Sequence, residues 1–302
     1  MKNTVIIIIG IAAFLFILML LRGYYEVRHF RIKRYTIKAD SIKKQTTIAF
    51  ISDLHNCSYG NDNEKIIAAL KKEKPDFLII GGDLIVGKRN TGQCMPEKYF
   101  KNAVSLLKGI SGEFPILYTY GNHETRVKNR KEINPLYNEY IDGIKEQLEE
   151  QKIILLNDEI WEYNNIIVAG LEVGDKAYDN NESFDNEKLR KLMTLVSQKS
   201  ASNKNKFHIL VSHPPDFFEQ YAEENIDLVL SGHNHGGTIR IPFLGGVISR
   251  KYKLFPKYSY GVYEKNGVKM ILTGGLGDHT IHFRLFNMPE IVVITLLRAD
   301  SI

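Results

Sequence analysis

Short apolar runs alternate with longer amphipathic segments along most of the chain, beginning near Thr46. This alternation is typical of α/β proteins, in which buried strands are connected by helices that cover a sheet. The apolar runs predict strands over residues 46–51, 77–80, 116–120, 153–156, 166–169, 207–211, 228–230, 269–272 and 291–297. Helical spacing predicts helices over residues 64–74, 97–108, 135–151, 186–199 and 217–224.

The N-terminus breaks this pattern, because residues 4–21 carry no charge and are mostly Ile, Leu, Phe, Val and Ala. As a helix this segment would span about 27 Å, close to the hydrocarbon thickness of a bilayer. The alternative is a cleaved signal peptide, but the apolar run exceeds a normal signal core and no small-residue cleavage site follows it. We therefore predict a transmembrane anchor over residues 1–22.

Basic residues are concentrated just after this segment. Lys2 precedes it, whereas the residues that follow it include Arg22, Arg28, Arg31, Lys33, Arg34 and Lys38. The positive-inside tendency then predicts a single-pass protein of the cell membrane whose body lies in the cytoplasm. Residues 23–45 are predicted to be a basic juxtamembrane linker, and residues 46–299 to be one large domain.

Charge and cysteine content narrow the range of partners. The net charge is +5, and the basic residues are densest beside the apolar segment, which favours contact with membrane lipid. No nucleic-acid partner is therefore expected. The two cysteines, Cys57 and Cys94, fit neither a metal motif nor a disulfide framework.

Side chains able to bind metal ions follow several of the predicted strands. Taken in chain order, these side chains belong to Asp53, His55, Asp83, Asn122, His123, His213, His233 and His235. Each motif alone could be an ordinary turn. Open α/β sheets, however, place their sites at the carboxyl ends of strands, and the repetition after successive strands makes metal binding the better interpretation. His208 lies inside a predicted strand and is interpreted as a packed side chain.

The donor types narrow the choice of metal. Carboxylate and imidazole ligands suit Mn, Fe, Zn or Co, whereas Mg or Ca sites use mostly oxygen.

The order and wording of these motifs resemble the calcineurin-like metallophosphoesterase superfamily over about residues 46–298. The segment 274–277, followed by Arg284 and residues 287–291, is similar to a membrane-associated bacterial branch, the YkuE-type phosphohydrolases. The resemblance implies an α/β fold of the two-sheet αββα sandwich type, here preceded by one transmembrane helix.

The resemblance also implies a ligand set and a reaction. It assigns one divalent ion to Asp53, His55 and His235. It assigns a second divalent ion to Asn122, His213 and His233, and makes Asp83 the bridge between the two. Phosphomonoesters or phosphodiesters, including lipid-linked ones, would be hydrolysed at a membrane surface by a hydroxide that bridges the ions. His123 would protonate or stabilise the leaving oxygen, with Glu124 orienting it.

The sequence leaves several alternatives open. Val86 stands three positions beyond Asp83, so the tyrosine of purple acid phosphatases is missing there. His279 and His282 could line the pocket or lie on a surface loop, and Arg284 could contact phosphate or form a structural ion pair. The apolar, aromatic and basic segment 241–260 could meet lipid or pack as an ordinary loop. Alternative functions are a soluble nucleotide or cyclic-nucleotide phosphodiesterase and an inactive metal-bound scaffold.

Overall fold

The computed structural model describes residues 2–87, 100–129, 153–178, 184–201, 205–237, 239–241, 244–247, 254–278 and 283–300. The predicted helix over residues 135–151, together with Cys94, His279 and His282, lies outside the described residues.

Helix α1 (Lys2–Glu26) opens the chain, and its apolar side chains are exposed along nearly its whole length. It is the one helix among the described residues that is long and apolar enough to cross a membrane, a test that a signal sequence also passes. Side chains of this kind need an apolar surrounding, which the other described residues do not supply.

The first sheet has six strands. In spatial order they are β1 (Arg31–Ala39), β14 (Glu290–Arg298), β2 (Thr46–Ile51), β3 (Phe77–Ile80), β4 (Ile116–Tyr118) and β5 (Ile153–Leu155). Strands β2 to β5 are mutually parallel, and β14 is antiparallel to β2. The carboxyl ends of β2, β3 and β4 therefore meet at one edge.

The second sheet also has six strands. In spatial order they are β12 (Gly261–Lys265), β13 (Val268–Leu272), β9 (Leu228–Ser231), β8 (Phe207–Ser212), β7 (Ile166–Leu171) and β6 (Glu159–Tyr163). Strands β7, β8, β9 and β13 are parallel, with antiparallel strands at both edges. A separate two-stranded hairpin pairs β10 (Arg240–Ile241) with β11 (Gly245–Gly246).

Helices cover the outer faces of both sheets. Helices α2 (Glu64–Glu73) and α3 (Lys101–Ile110) pack on the first sheet, and α5 (Asn186–Ser200) and α6 (Phe218–Tyr221) pack on the second. A third cluster of apolar side chains fills the space between the sheets, with Phe50, Phe77, Phe207 and Ile209 among its members. Because both faces of the central strands are buried, these strands are continuous apolar runs. The predicted αββα sandwich is confirmed.

The first sheet extends further toward the N-terminus than the sequence predicts. Strand β1 lies within the segment predicted to be a linker, and it pairs in parallel with β14 from Arg31 opposite Glu290 to Ala39 opposite Arg298. Residues 31–39 are therefore part of the folded domain, and its predicted start at residue 46 is corrected. The charged residues Arg31, Lys33, Arg34 and Lys38 disguised this strand, although edge strands commonly carry Lys and Arg.

Candidate metal centre

The seven predicted metal ligands lie at the edge where the carboxyl ends of the parallel strands of both sheets meet. Asp53 follows β2, Asp83 follows β3, and Asn122 begins helix α4 (Asn122–Lys128) just after β4. His213 follows β8, and His233 and His235 follow β9. All seven side chains are buried. Asp53 and His213, which are 160 positions apart in the chain, thus come together because the parallel strands of both sheets end at the same place.

The backbone of these ligand loops is unusual. Asp53, His55, Asp83, His233 and His235 all have positive φ angles, between 45° and 72°. Residues other than glycine rarely adopt this conformation, and such residues cluster at functional sites. The turns direct the side chains inward.

Gly82 lets two of these loops approach each other. Its φ is 93°, and a Cβ added to it would lie 2.3 Å from the backbone nitrogen of Gly121. The Asp83 loop and the Asn122 loop can therefore meet only because this position lacks a side chain.

Asp53, His55 and His235 form one group of potential ligands. Nε2 of His55 lies 3.0 Å from Nε2 of His235. Nε2 of His235 lies 3.4 Å from Oδ1 of Asp53. The three ligand atoms thus surround a single point, as the ligands of one ion would.

Asp83, His213 and His233 form another group. Nε2 of His213 lies 3.1 Å from Oδ2 of Asp83. The amide atom of Asn122 that faces the centre lies 3.0 Å from Nδ1 of His233 and 3.1 Å from Oδ2 of Asp83. When this atom is the amide oxygen, several acceptors converge on one point, which is the arrangement that a bound cation requires. The same Oδ2 of Asp83 lies 3.8 Å from Nε2 of His55, so Asp83 stands between the two groups.

Hydrogen bonds fix the ring nitrogens of two histidines for metal binding. Nδ1 of His213 lies 2.7 Å from the carbonyl of Gly81, and Nδ1 of His235 lies 2.9 Å from the carbonyl of Gly277. When each ring is neutral, Nδ1 carries the proton and the lone pair of Nε2 faces the centre. Backbone carbonyls commonly hold metal-ligating histidines in this way, so the residues fit a divalent ion.

When no cation is bound, protons on the neighbouring imidazoles compensate the negative charge of the buried carboxylates. Burial lowers the pKa of His213, but the Asp83 and Asp53 carboxylates overcome this effect and raise it to about 9. Burial opposes ionisation of Asp83, yet the imidazoles of His213, His123 and His55 hold its pKa well below the usual range. A cation would take the place of protons here, since metal binding requires neutral imidazoles.

His123 faces the same centre in a different way. Its Nδ1 accepts a hydrogen bond of 2.7 Å from the backbone N–H of Gly87. The neutral ring must then carry its proton on Nε2, which lies 3.9 Å from Oδ2 of Asp83. His123 therefore offers the centre a proton donor, whereas His213 and His235 offer lone pairs.

Glu124 does not have the expected role of orienting His123. Its buried carboxylate accepts hydrogen bonds of 2.8 Å from the backbone N–H groups of Asp83 and Leu84 and of 3.0 Å from that of Gly121. The hydroxyl of Tyr118 donates to it as well, at 2.8 Å. Glu124 thus holds the Asp83 loop in place.

Arg284 is fully buried and forms a structural ion pair. Its guanidinium donates to Asp278 at 3.0 Å, to the carbonyl of Gly274 at 2.7 Å and to that of Gly277 at 2.8 Å. The carbonyl of Gly277 also accepts from His235. Arg284 therefore supports the proposed ligand His235 through the carbonyl of Gly277. Of the two interpretations left open by the sequence, phosphate contact or a structural ion pair, the ion pair is the one observed.

Tyr178 was not recognised from the sequence. Its ring centroid lies 5.0 Å from that of His233 and 6.1 Å from that of His213. Its buried hydroxyl has no hydrogen-bond partner among the residues that the structure describes. Tyr178 ends a short 3₁₀ turn, Asp175–Tyr178, and lies seven positions beyond the end of β7. Its phenol is not among the carboxylate, amide and imidazole donors of the strand-to-ligand pattern, so that pattern could not reveal it.

A two-sheet αββα sandwich with a buried carboxylate and imidazole cluster at its strand ends defines the class of metallophosphoesterases. Residues 46–237 match the family model described as calcineurin-like phosphoesterase, and the chain belongs to that family.

Relatives from several bacteria are similar along nearly the whole chain. An uncharacterised metallophosphoesterase of Aquifex aeolicus is 28% identical over 293 residues, which cover 93% of this chain and 98% of the relative. The metallophosphoesterase YkuE of Bacillus subtilis is 26% identical over 288 residues, covering 90% and 87%. Phosphodiesterase YaeI of Escherichia coli is 24% identical over 279 residues, covering 91% and 89%. These similarities support the YkuE-like branch.

Proposed function

We propose that this protein is a membrane-anchored phosphoesterase with a centre for two divalent metal ions. One ion would be held by Asp53, His55 and His235, and the other by Asn122, His213 and His233. The observation that carries the proposal is the position of Asp83, whose Oδ2 lies 3.1 Å from Nε2 of His213 and 3.8 Å from Nε2 of His55. A carboxylate in this position can bind both ions.

The chemistry divides between the ions and the chain. When bound, a pair of divalent ions polarises the phosphoryl oxygen and makes hydroxide available near neutral pH for in-line displacement. The chain itself supplies a proton donor, because the Nε2–H of His123 faces the same centre. Donation to the departing oxygen would prevent the formation of a basic alkoxide. Mn, Fe, Zn or Co suits the mixed carboxylate and imidazole ligands.

The substrate proposed is a phosphomonoester or phosphodiester presented at a membrane surface, including lipid-linked esters. Two features support this choice. Helix α1 is apolar and exposed, which suits a bilayer-spanning segment. The similar Escherichia coli protein bears the name phosphodiesterase.

The test is a substrate screen with the full-length protein in detergent, reconstituted with each candidate metal. Soluble monoesters and diesters are compared with lipid phosphoesters in mixed micelles, and metal content is measured by mass spectrometry. Asp83→Asn should lose both metal and hydrolysis. The matched control is Asp227→Asn, a carboxylate that accepts a 2.7 Å hydrogen bond from the backbone of His208, outside the centre. Full activity and metal content in Asp83→Asn would refute the proposed centre.

A further inference from the structure

The last turn of α1 is attached to the folded domain. Glu26 is fully buried, although most of the helix before it is exposed. Its Oε2 accepts a 2.8 Å hydrogen bond from the backbone N–H of Asn287, and its Oε1 pairs with Arg22 at 2.7 Å. One turn earlier, Gly23 lies against the ring of Phe283, where an added Cβ would approach within 2.2 Å. The helix therefore ends in a fixed position on the domain.

This attachment lies directly behind a proposed metal ligand. The side chain of Asn287 donates a 2.6 Å hydrogen bond to the backbone carbonyl of His235. Two hydrogen bonds thus connect the end of α1 with the loop that carries His235.

The short connection limits the distance between that loop and a membrane. Leu21 is the last residue of the apolar run, and Glu26 follows five positions later in the same helix. At 1.5 Å per residue this separation is about 8 Å, comparable with the interfacial region on one side of a bilayer. If α1 spans a membrane, the Asn287 segment lies at the depth of the lipid headgroups.

An exposed apolar surface adjoins this segment, which we call the apolar rim. Its members, between 40% and 66% exposed, are Ile241, Leu244, Leu254, Phe255 and Phe286. Outside α1, the part of the chain that the structure describes exposes two other large hydrophobic side chains, Leu195 and Val262. Among the described residues of the domain, the exposed apolar surface is thus concentrated in one region, and such concentration marks an interaction surface.

Backbone hydrogen bonds connect the segments of the apolar rim to one another and to the end of α1. The N–H of Arg240 donates to Leu285, that of Val247 to Ile239 and that of Phe255 to Val247, each at 2.9 Å. Leu285 itself lies between Phe283, which contacts Gly23, and Asn287, which contacts Glu26. The rim therefore begins beside the helix and extends outward from it.

Cations paired with aromatic rings flank this surface. The guanidinium of Arg28 lies 3.5 Å from the ring centroid of Tyr24, and that of Arg240 lies 4.0 Å from the ring centroid of Tyr260. Tyrosine with a polar tip and arginine with an apolar stem suit the boundary between lipid and water. Their positive charge also complements anionic headgroups.

We propose that the apolar rim inserts into the interfacial layer of the same bilayer that holds α1, and that this second contact presents the metal centre to phosphate-bearing lipid headgroups. The inference rests on the membrane anchoring that is part of the proposed function. It adds a contact made by the domain itself, in a fixed orientation set by Glu26 and Asn287.

The experiment places a tryptophan in the rim of the full-length protein. Phe255→Trp and Leu254→Trp are reconstituted into vesicles of phosphatidylcholine and phosphatidylglycerol, with or without bromine on the acyl chains. Val262→Trp is the matched control, because Val262 is 50% exposed but lies in the edge strand β12. The protein without substitution supplies the emission of its single tryptophan, Trp161, for subtraction.

Brominated lipid should remove about half or more of the added emission at positions 254 and 255, since interfacial segments lie ~5–10 Å deep. The emission added at position 262 should persist. Protein that floats with the vesicles but shows no more quenching at positions 254 and 255 than at 262 would overturn the rim contact and leave the anchor intact. Protein that does not float would overturn the anchor and the rim contact together.

Discussion

Replacing His123 tests the step that most depends on the geometry of the centre. The N–H of Gly87 donates to Nδ1 of His123 at 2.7 Å, which leaves the proton of the neutral ring on Nε2. In His123→Asn the side-chain oxygen can still accept from Gly87, but the proton donor facing Asp83 is lost. We expect the metal content to stay unchanged and the rate of hydrolysis to fall.

The size of the loss should depend on the leaving group. A positioned general acid contributes about 10²–10⁴-fold to rate. This factor corresponds to roughly 2.7–5.4 kcal/mol of transition-state stabilisation, at 1.36 kcal/mol per factor of ten. An alkyl phosphate ester, whose departing oxygen is strongly basic, should show this loss. A p-nitrophenyl ester should lose much less, because its phenolate departs without a proton.

The assay compares kcat for both esters in the full-length protein with its metal content measured. His208→Asn is the matched control, because His208 is also buried but lies between the hydroxyl of Ser200 and the carbonyl of Asn225, outside the centre. It should keep both rates. Equal losses on the two esters, or loss of metal from His123→Asn, would show that His123 is a ligand or a structural residue instead of an acid.

Three further outcomes are expected. Asp83→Asn should lose metal and activity together, because one substitution removes a carboxylate shared by both proposed sites. The measurement that checks this is the metal content of Asp83→Asn compared with that of Asp227→Asn. Metal binding at pH 7 should release protons, since His213, with a pKa raised to about 9, must become neutral to bind a cation. The affinity for the metal ion should therefore rise with pH. Calorimetry in buffers of different ionisation enthalpy would detect the released protons. Arg284→Met should destabilise the protein by about 3–5 kcal/mol in urea unfolding, because it leaves Asp278, whose side chain is 12% exposed, without its cation. Arg298→Met, which removes an exposed pair with Asp300, should cost about 1 kcal/mol or less, and equal effects would refute the structural role of Arg284.

The ligand motifs could be recognised from the sequence because each is local. Strand β3 is an uninterrupted apolar run whose residues are all buried, and Asp83 follows within three positions of its end. The same order of strand, turn and ligand recurs at Asp53 and His233. Recognising each motif needs no knowledge of how the two sheets pack, because parallel strands within one sheet already bring their carboxyl ends together.

The residues that support the ligands could not be recognised in this way. Glu124 is adjacent to His123 in sequence, which suggested contact, yet the capping geometry of α4 turns its carboxylate toward the N–H groups of Asp83 and Leu84. Glu26 and Asn287 are separated by 261 positions. No periodicity or motif relates two positions that far apart when each is polar and isolated.

The true start of the domain decides how an anchor-free protein has to be made. A boundary at residue 46, the domain start that the sequence predicts, would remove β1 and leave β14 as a new edge strand. It would also remove Glu26, which accepts a hydrogen bond from the backbone N–H of Asn287. The side chain of Asn287 in turn donates to the carbonyl of His235 and supports its loop. A loss of activity in such a protein would then reflect disturbed packing behind a ligand as much as separation from lipid. A protein that begins at Arg22 keeps the Glu26 contacts and β1 while losing the apolar span. Its comparison with the full chain therefore isolates the effect of the membrane.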